Sequence, residues 1–245
     1  MFKIIDKDHT FDYKGLRIMA NPDLHASVIE VIKNLKIESD SRILILGAGT
    51  GAFDRRLLDS GFTDITSVDI AFENYQIEPG LTKFIKADLN DEFADTIENG
   101  VFDLIICMEV VEHVYSPFHL IKGCNRLLTK DGFILLSTPN VHDDISRVHN
   151  VLFGYPSLFL SDPEEFDHVS PIYKKILKHY LRQNNLKLIK NIPISHFFNY
   201  LQIYSLRSYI YYLVVFIIWI CIYPILFFSR ERMNGLLTLY VIKKQ

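Results

Sequence analysis

The chain reads as an α/β protein built on a doubly wound, mostly parallel sheet. Three observations predict it. Short apolar runs recur at residues 43–46, 65–69, 83–87, 102–108 and 133–137, each at strand length. Stretches of helical character separate most of them, and such alternation builds a parallel sheet covered by helices. The first run, Ile43-Leu44-Ile45-Leu46, passes straight into Gly47-Ala48-Gly49-Thr50-Gly51. That is a buried strand bending sharply into a helix, at glycines that carry no Cβ.

Taken in order, Asn21-Pro22-Asp23 opens a helix to about residue 35, with Val28, Ile29, Val31, Ile32 and Leu35 at helical spacing. Residues 1–40 are therefore expected to be an N-terminal helical extension. A second helix follows the first strand at 52–60 and stops at Gly61. The stretch 72–81 contains Pro79-Gly80 and is too short for a full crossover helix. The run 102–108 is almost continuously apolar, the pattern of a strand buried on both faces. Ser116-Pro117 starts a helix to about residue 128, and Asp131-Gly132 turns into the fifth strand. Residues 138–169 read as a long loop with short helices, a usual site for a substrate lid. Ser170-Pro171 starts a helix to about residue 183. Strands at 186–194 and 235–243 complete the sheet.

At 245 residues the chain suits one domain with an elaboration. Cys107, Cys124 and Cys221 form no CxxC pair, which fits a reducing compartment. The N-terminus has no long apolar run, so no signal peptide is expected. The net charge of −3 hides an asymmetry. Residues 1–168 hold 28 acidic and 15 basic side chains, whereas residues 169–245 hold one acid, Glu231, against eleven Lys and Arg. Within the basic part, 22 uncharged residues separate Arg207 from Arg230. About 20 apolar residues cross a bilayer, and Tyr209, Tyr211, Tyr212 and Trp219 suit its interface. A final strand at 235–243 must return to the same sheet, which argues against a simple crossing. Residues 209–228, within an insertion at 203–232, are expected to dip into the membrane or lie on it, with Pro224 as a breaking point. A buried helical cover or a dimer interface is the plainer alternative. The expected location is cytoplasmic, peripheral or monotopic at the inner face of the membrane, with no nucleic-acid partner.

The glycine turn lets a ligand approach the backbone closely, and the helix behind it offers unpaired N–H groups. Asp69 ends the next strand about 20 residues on, where an acid meets the ribose hydroxyls of a nucleotide. An adenosine-containing ligand follows. Gly47, Gly49 and Ala52 also match the dinucleotide fingerprint, so a nicotinamide-dependent oxidoreductase is the alternative. Two further groups decide between them: Lys86-Ala87-Asp88-Leu89, and Glu109-Val110-Val111-Glu112-His113 with Leu135-Leu136-Ser137-Thr138-Pro139-Asn140. For Asp88 a simple turn cap is the competing role.

Together, residues 40–140 resemble class I S-adenosylmethionine-dependent methyltransferases. The resemblance is closest to the group of ubiquinone-biosynthesis O-methyltransferases and bacterial methyltransferases of cell-surface glycan clusters. Asp167-His168-Val169-Ser170-Pro171 looks like that group as well. The resemblance implies a Rossmann-like sheet of seven strands with the last one antiparallel, and S-adenosylmethionine as cofactor. It implies that Gly47, Ala48, Gly49 and Gly51 pass the methionine part and that Asp69 takes the ribose hydroxyls. Ile70, Asp88 and Leu89 would face the adenine, and Met108 and Glu109 would line the pocket. The acceptor implied is a membrane-proximal glycan or an isoprenoid-linked molecule.

Methyl transfer is an in-line displacement, and a hydroxyl acceptor benefits from a base. His113, just past the fourth strand, is the leading candidate, because histidine titrates near neutral pH. A structural role at the loop corner is its alternative. His142 and His168 rank second, each more simply a loop histidine bonded to backbone. Glu109, Glu112 and His113 stand at i, i+3 and i+4, and on a helical turn they could hold a divalent ion. A local cap or ion pair by Glu112 is simpler, and no metal is assigned. A non-catalytic membrane adaptor with this fold is the remaining reading.

Overall fold

The computed structural model describes residues 11–97, 100–159, 168–195, 210, 213, 214, 216–221 and 235–245. The described chain opens on a small antiparallel hairpin, β1 (Asp12–Tyr13) and β2 (Leu16–Arg17). Lys14 and Gly15 turn it with positive φ, as a two-residue hairpin loop requires. α1 (Pro22–Asn34) follows, its first turn capped by the Asn21 side chain, which accepts the Asp23 N–H. The expected helical extension is thus a hairpin followed by one helix.

The sheet takes shape from β3 (Ile43–Leu46), followed by α2 (Ala52–Asp59), β4 (Ile65–Asp69) and β5 (Lys83–Lys86). After the short α3 (Phe93–Thr96) come β6 (Phe102–Met108), α4 (Pro117–Leu127) and β7 (Leu128–Pro139). α5 (Asp144–Phe153), α6 (Lys174–Gln183), β8 (Leu186–Ile194) and β9 (Leu237–Lys244) complete the order. The strands lie in the sequence β5-β4-β3-β6-β7-β9-β8. β3 to β7 run parallel, and β9 is antiparallel to both of its neighbours. The expected seven-stranded doubly wound sheet with an antiparallel final strand is the fold observed.

Period-2 alternation divides the core between two faces. Ile43, Ile45, Leu104 and Ile106 point to α1 and α2, meeting Leu24, Val28, Phe53 and Leu57. Leu44, Leu46, Ile105 and Cys107 point to α3, α4 and α6, meeting Phe93, Leu120, Ile121 and Leu177. β3 and β6 therefore carry apolar residues in both phases, which explains their unbroken apolar runs.

Three details differ from the sequence reading. Asp131-Gly132 falls inside β7, where the register slips: Leu128 pairs with Phe102 and Phe133 with Leu104, so residues 129–132 bulge. Ser170-Pro171 does not open a helix. The Ser170 hydroxyl donates to the Val114 carbonyl at 2.7 Å, and α6 begins at Lys174 instead. The stretch 138–169 contains a ten-residue helix, α5, capped by the Asp143 carboxylate. Of the 203–232 insertion, residues 210, 213, 214 and 216–221 are helical. The remainder of that expectation, like residues 1–10 and 160–167, lies outside the described residues. Among the described residues no helix is long and apolar enough to cross a membrane.

α4 crosses α3 at closest approach through Gly123, where a Cβ would stand 2.4 Å from the buried Phe93 ring. Alanine favours a helix by about 1 kcal/mol over glycine, yet Gly123→Ala is expected to lower stability by about 1–3 kcal/mol through overpacking. Urea unfolding checks the sign, since a net gain would mean that Phe93 can yield.

Candidate functional site

The C-terminal ends of β3, β4 and β6 meet at one edge of the sheet, the position where open α/β sheets bind ligands. Gly47 leaves β3 at φ +74°, and its N–H, like that of Ala48, donates to the Val68 carbonyl. A Cβ on Gly47 would lie 2.3 Å from Val110 Cγ2, and one on Gly51 would lie 2.5 Å from Ile77 Cγ1. Both positions sit in the left-handed region, so glycine is required there for space and for conformation. Gly51 is the N-cap of α2.

Asp69 is held by two backbone donors. Gly49 N–H gives 2.8 Å to Oδ2, and Ala71 N–H gives 2.9 Å to Oδ1. Each carboxylate oxygen keeps a further lone pair for a ligand hydroxyl. A cleft of about 670 Å³ opens beside it, bordered by Gly47, Ile70, Asp88, Leu89 and His113. An adjoining pocket of about 210 Å³ shares Gly47, Asp69 and His113 and reaches Ala48, Gly49, Met108 and Glu109. The sequence-chosen residues thus gather around one cavity, except Gly51, which packs behind it under Tyr75 and Ile77. Asp88 also caps a turn, its Oδ1 accepting the Asn90 N–H at 2.8 Å.

The N-terminal strap supplies residues the sequence reading missed. Tyr13 donates to Asp59 Oδ2 at 2.9 Å and Lys14 pairs with the same oxygen at 2.7 Å, fastening the hairpin to α2. The Thr50 hydroxyl donates to the Arg17 carbonyl at 2.7 Å. Arg17, Met19 and His25 consequently line the smaller pocket.

Glu109 locks this strap in place. Its carboxylate accepts the Asn21 N–H at 2.6 Å, and its own N–H donates to Ser137 Oγ. Burial pushes its carboxyl up to about 7, a shift partly offset by the Asn21 N–H. Glu112 is fully buried, and burial followed by the neighbouring Glu109 charge raises it well above the usual range. Its own backbone N–H and the Thr138 hydroxyl face the carboxyl and offset part of that rise, although neither makes a well-formed hydrogen bond to its oxygens.

His113 and His168 meet edge to face, with ring centroids 4.7 Å apart. His168 Nδ1 lies 2.5 Å from the Leu158 carbonyl, which can only accept, so the proton sits on Nδ1. Val169 and Ser170 N–H groups both donate to the Glu112 carbonyl, fixing this segment against the loop after β6. Ligand atoms of Glu112, His113 and His168 lie within 4.8 Å of one another. Two imidazoles and a carboxylate are a donor set that suits a divalent ion. Glu109, included in the sequence-based trio, is not in this group. His142 stands elsewhere, its Nε2 accepting the Lys174 N–H at the start of α6.

A parallel sheet with this strand order, a Cβ-free turn and an acid at the end of the adjacent strand define the S-adenosylmethionine-dependent methyltransferase fold. The methyltransferase domain family matches residues 23–191, and the chain belongs to it. The chain is similar to the ubiquinone biosynthesis O-methyltransferase of Xanthomonas oryzae pv. oryzae, 31% identical over 105 residues. That match spans 41% of this chain and 44% of that protein. The protein of the same name from Bordetella avium is 30% identical, over 40% of this chain and 43% of its own length. Less than half the length of these curated relatives is matched. A methyltransferase from Archaeoglobus fulgidus superposes with a TM-score of 0.59 at 19% identity, covering 90% of this chain and 94% of that one. Magnesium protoporphyrin IX methyltransferase from Synechocystis, solved with bound S-adenosylhomocysteine, gives 0.54 at 12% identity, over 91% and 82% of the two chains. The family match sets aside the nicotinamide reading.

The raised Glu109 carboxyl has a sign that can be measured. Its folded-state value lies above the 4.5 of an ordinary glutamate, so its contribution is full below that pH and is lost as pH rises towards 7. Glu109→Gln keeps an oxygen for the Asn21 N–H but cannot ionise. Its stability relative to the parent is expected to rise between pH 4.5 and 7, by on the order of 1 kcal/mol per pH unit. Urea midpoints at pH 5 and 7.5 test this, and parallel curves would refute it.

Proposed function

We propose that the protein transfers the methyl group of S-adenosylmethionine to an oxygen of a membrane-proximal acceptor, a glycan or an isoprenoid-linked molecule. The observation that carries the reading is the Asp69 carboxylate, aimed by two backbone N–H groups into a cleft shared with the glycine turn and His113. The residues suit the cofactor: the turn leaves no room for a Cβ, and the cleft falls within the roughly 300–1,000 Å³ of small-molecule sites. The cofactor supplies a methyl group already activated on a sulfonium, which leaves the protein to position the acceptor.

Asp69 would accept both ribose hydroxyls through its remaining lone pairs. Asp88 and Leu89 border the adenine end. Arg17 lines the smaller pocket with Gly49 and Thr50, and its guanidinium would suit the carboxylate of the methionine tail. His113, exposed and lining both cavities, takes the acceptor's hydroxyl proton as the oxygen attacks. His168 packs against it and orients the ring. The choice of oxygen is supported by His113 and by similarity to O-methyltransferases. The membrane-proximal acceptor is supported by the uncharged stretch at 208–229.

Calorimetry is expected to show S-adenosylhomocysteine binding and no NAD binding. Asp69→Ala should weaken the former about 30-fold, the value of a hydrogen bond to a charged group. Tight NAD binding without S-adenosylhomocysteine binding would overturn the reading. His113→Ala should lower kcat for methyl transfer about 100-fold with S-adenosylhomocysteine affinity retained. Incubating membrane and soluble extracts with radiolabelled methyl donor should label the membrane fraction. Cofactor binding with no label in either fraction would favour the adaptor instead.

A further inference from the structure

α5 and the helical residues of the insertion pack on one another. Ile145 and Val148 of α5 are buried against Ile218 and Trp219, and Trp219 Nε1 lies 3.4 Å from Asp144 Oδ2. The other side of the insertion helix faces water with Ile210, Leu213, Ile217 and Ile220, all exposed. Their spacing of i, i+3, i+7 and i+10 puts them on one helical face. The end of α5 continues the pattern, with Val151 77% and Phe153 48% exposed. A helix on a water-facing surface normally turns its charged side outward, and an apolar outer face marks an interaction surface.

Topology places this surface beside the cleft. α5 follows the C-terminal end of β7, and the insertion leaves the C-terminal end of β8, which is parallel to β7 because β9 opposes both. The glycine turn leaves the same edge from β3. We propose that α5 and the insertion helix together form a docking face for an anionic lipid bilayer, laying the active-site edge against the headgroups. Charge selects this occupant. Arg207, Arg230 and Arg232 flank the insertion in sequence, against one acid, Glu231. Anionic headgroups complement that charge, whereas a second copy would bring like charges together. An amphipathic helix lying in the interface needs no membrane-spanning length. The proposal rests on the methyltransferase reading only for what the acceptor is; lipid binding requires no methyl transfer.

Trp219 is the chain's only tryptophan and sits at the seam between α5 and the insertion helix, directly behind the proposed face. The full-length protein is expected to sediment with phosphatidylglycerol vesicles and less with phosphatidylcholine vesicles, and lipids brominated on their acyl chains should quench Trp219. Leu213→Glu with Ile217→Glu should cut vesicle binding about tenfold or more, with S-adenosylhomocysteine binding retained as proof of folding. Full-length protein that stays in solution with phosphatidylglycerol vesicles overturns the proposal. So does a double variant that binds as well as the parent, or a bound protein whose Trp219 is not quenched. A dimer in light scattering that the double variant dissolves, without vesicle binding by the parent, would make a second copy the occupant and also overturn it. Vesicle binding without methyl transfer supports the docking face while counting against the enzymatic reading.

Discussion

The turn after β3 is the constraint to which the surrounding site conforms. Residues 47–51 reverse direction at the sheet edge in a space without room for side-chain carbon at Gly47 or Gly51. The neighbours are packed up to that limit: Val110 from the loop after β6, and Ile77 and Tyr75 from the connection after β4. That connection has only a 3₁₀ turn at Phe72–Asn74 where a crossover helix would normally stand. A buried network holds it instead. Tyr75 OH donates to Asp54 Oδ1 at 2.6 Å, the Ser67 hydroxyl bonds the same carboxylate, and Thr82 bonds Tyr75. Burial drives Asp54 and Tyr75 both upward, Asp54 against the pull of its hydrogen bonds. Bonds from Tyr75 to α2 and β4 thus position the short connection that starts at Asp69, a task a helix would perform by packing.

Acids near the cleft are not arranged for stability. Glu112 is buried and Glu109, three residues earlier, is half-buried, and desolvation raises both. An apolar pair would cost less to bury. Retaining carboxyls there is consistent with a site whose chemistry needs them, since perturbed groups cluster where function demands it. Glu109 shows the structural half of that use, because its carboxylate ties Asn21 and hence the strap carrying Arg17 and Met19. Glu112 presents its carboxylate towards two imidazoles. The arrangement joins the roof of the pocket and the candidate base to a single loop of five residues.

Much of the sheet is legible in the sequence because β3, β4 and β6 are short apolar runs ended by glycine, acid or turn residues. The glycine turn and Asp69 are legible for the same reason, since they are consecutive with those strands. Local signals fail where distant segments compete for them. Ser170-Pro171 has the form of a helix start, but its hydroxyl and N–H are taken by Val114 and Glu112. α5, Asp-Ile-Ser-Arg-Val-His-Asn-Val-Leu-Phe, has only Arg147 and Leu152 as strong helix formers, and the Asp143 cap and packing against Ile218 and Trp219 support it. Arg17 and Met19 are invisible as site residues because the hairpin's attachment to α2 brings them there, through Tyr13 and Lys14 on Asp59. Nothing in the spacing of 12–21 encodes that contact.

The two additions to the sheet meet the same edge from opposite ends of the chain. The strap covers the glycine turn on the side of β3 and α2, and the Ser195 hydroxyl, on the chain leading into the insertion, shares its one proton between Asp23 Oδ2 at 2.7 Å and Asn21 Oδ1 at 2.9 Å. The cap of α1, the Glu109 latch and the start of the insertion therefore share one residue, Asn21. Movement of the insertion at its root would be felt by the strap that roofs the cofactor pocket, through side-chain hydrogen bonds rather than through the sheet. Among the described residues, Ser195, Asn21 and Glu109 supply polar contacts that join the two additions at the cleft.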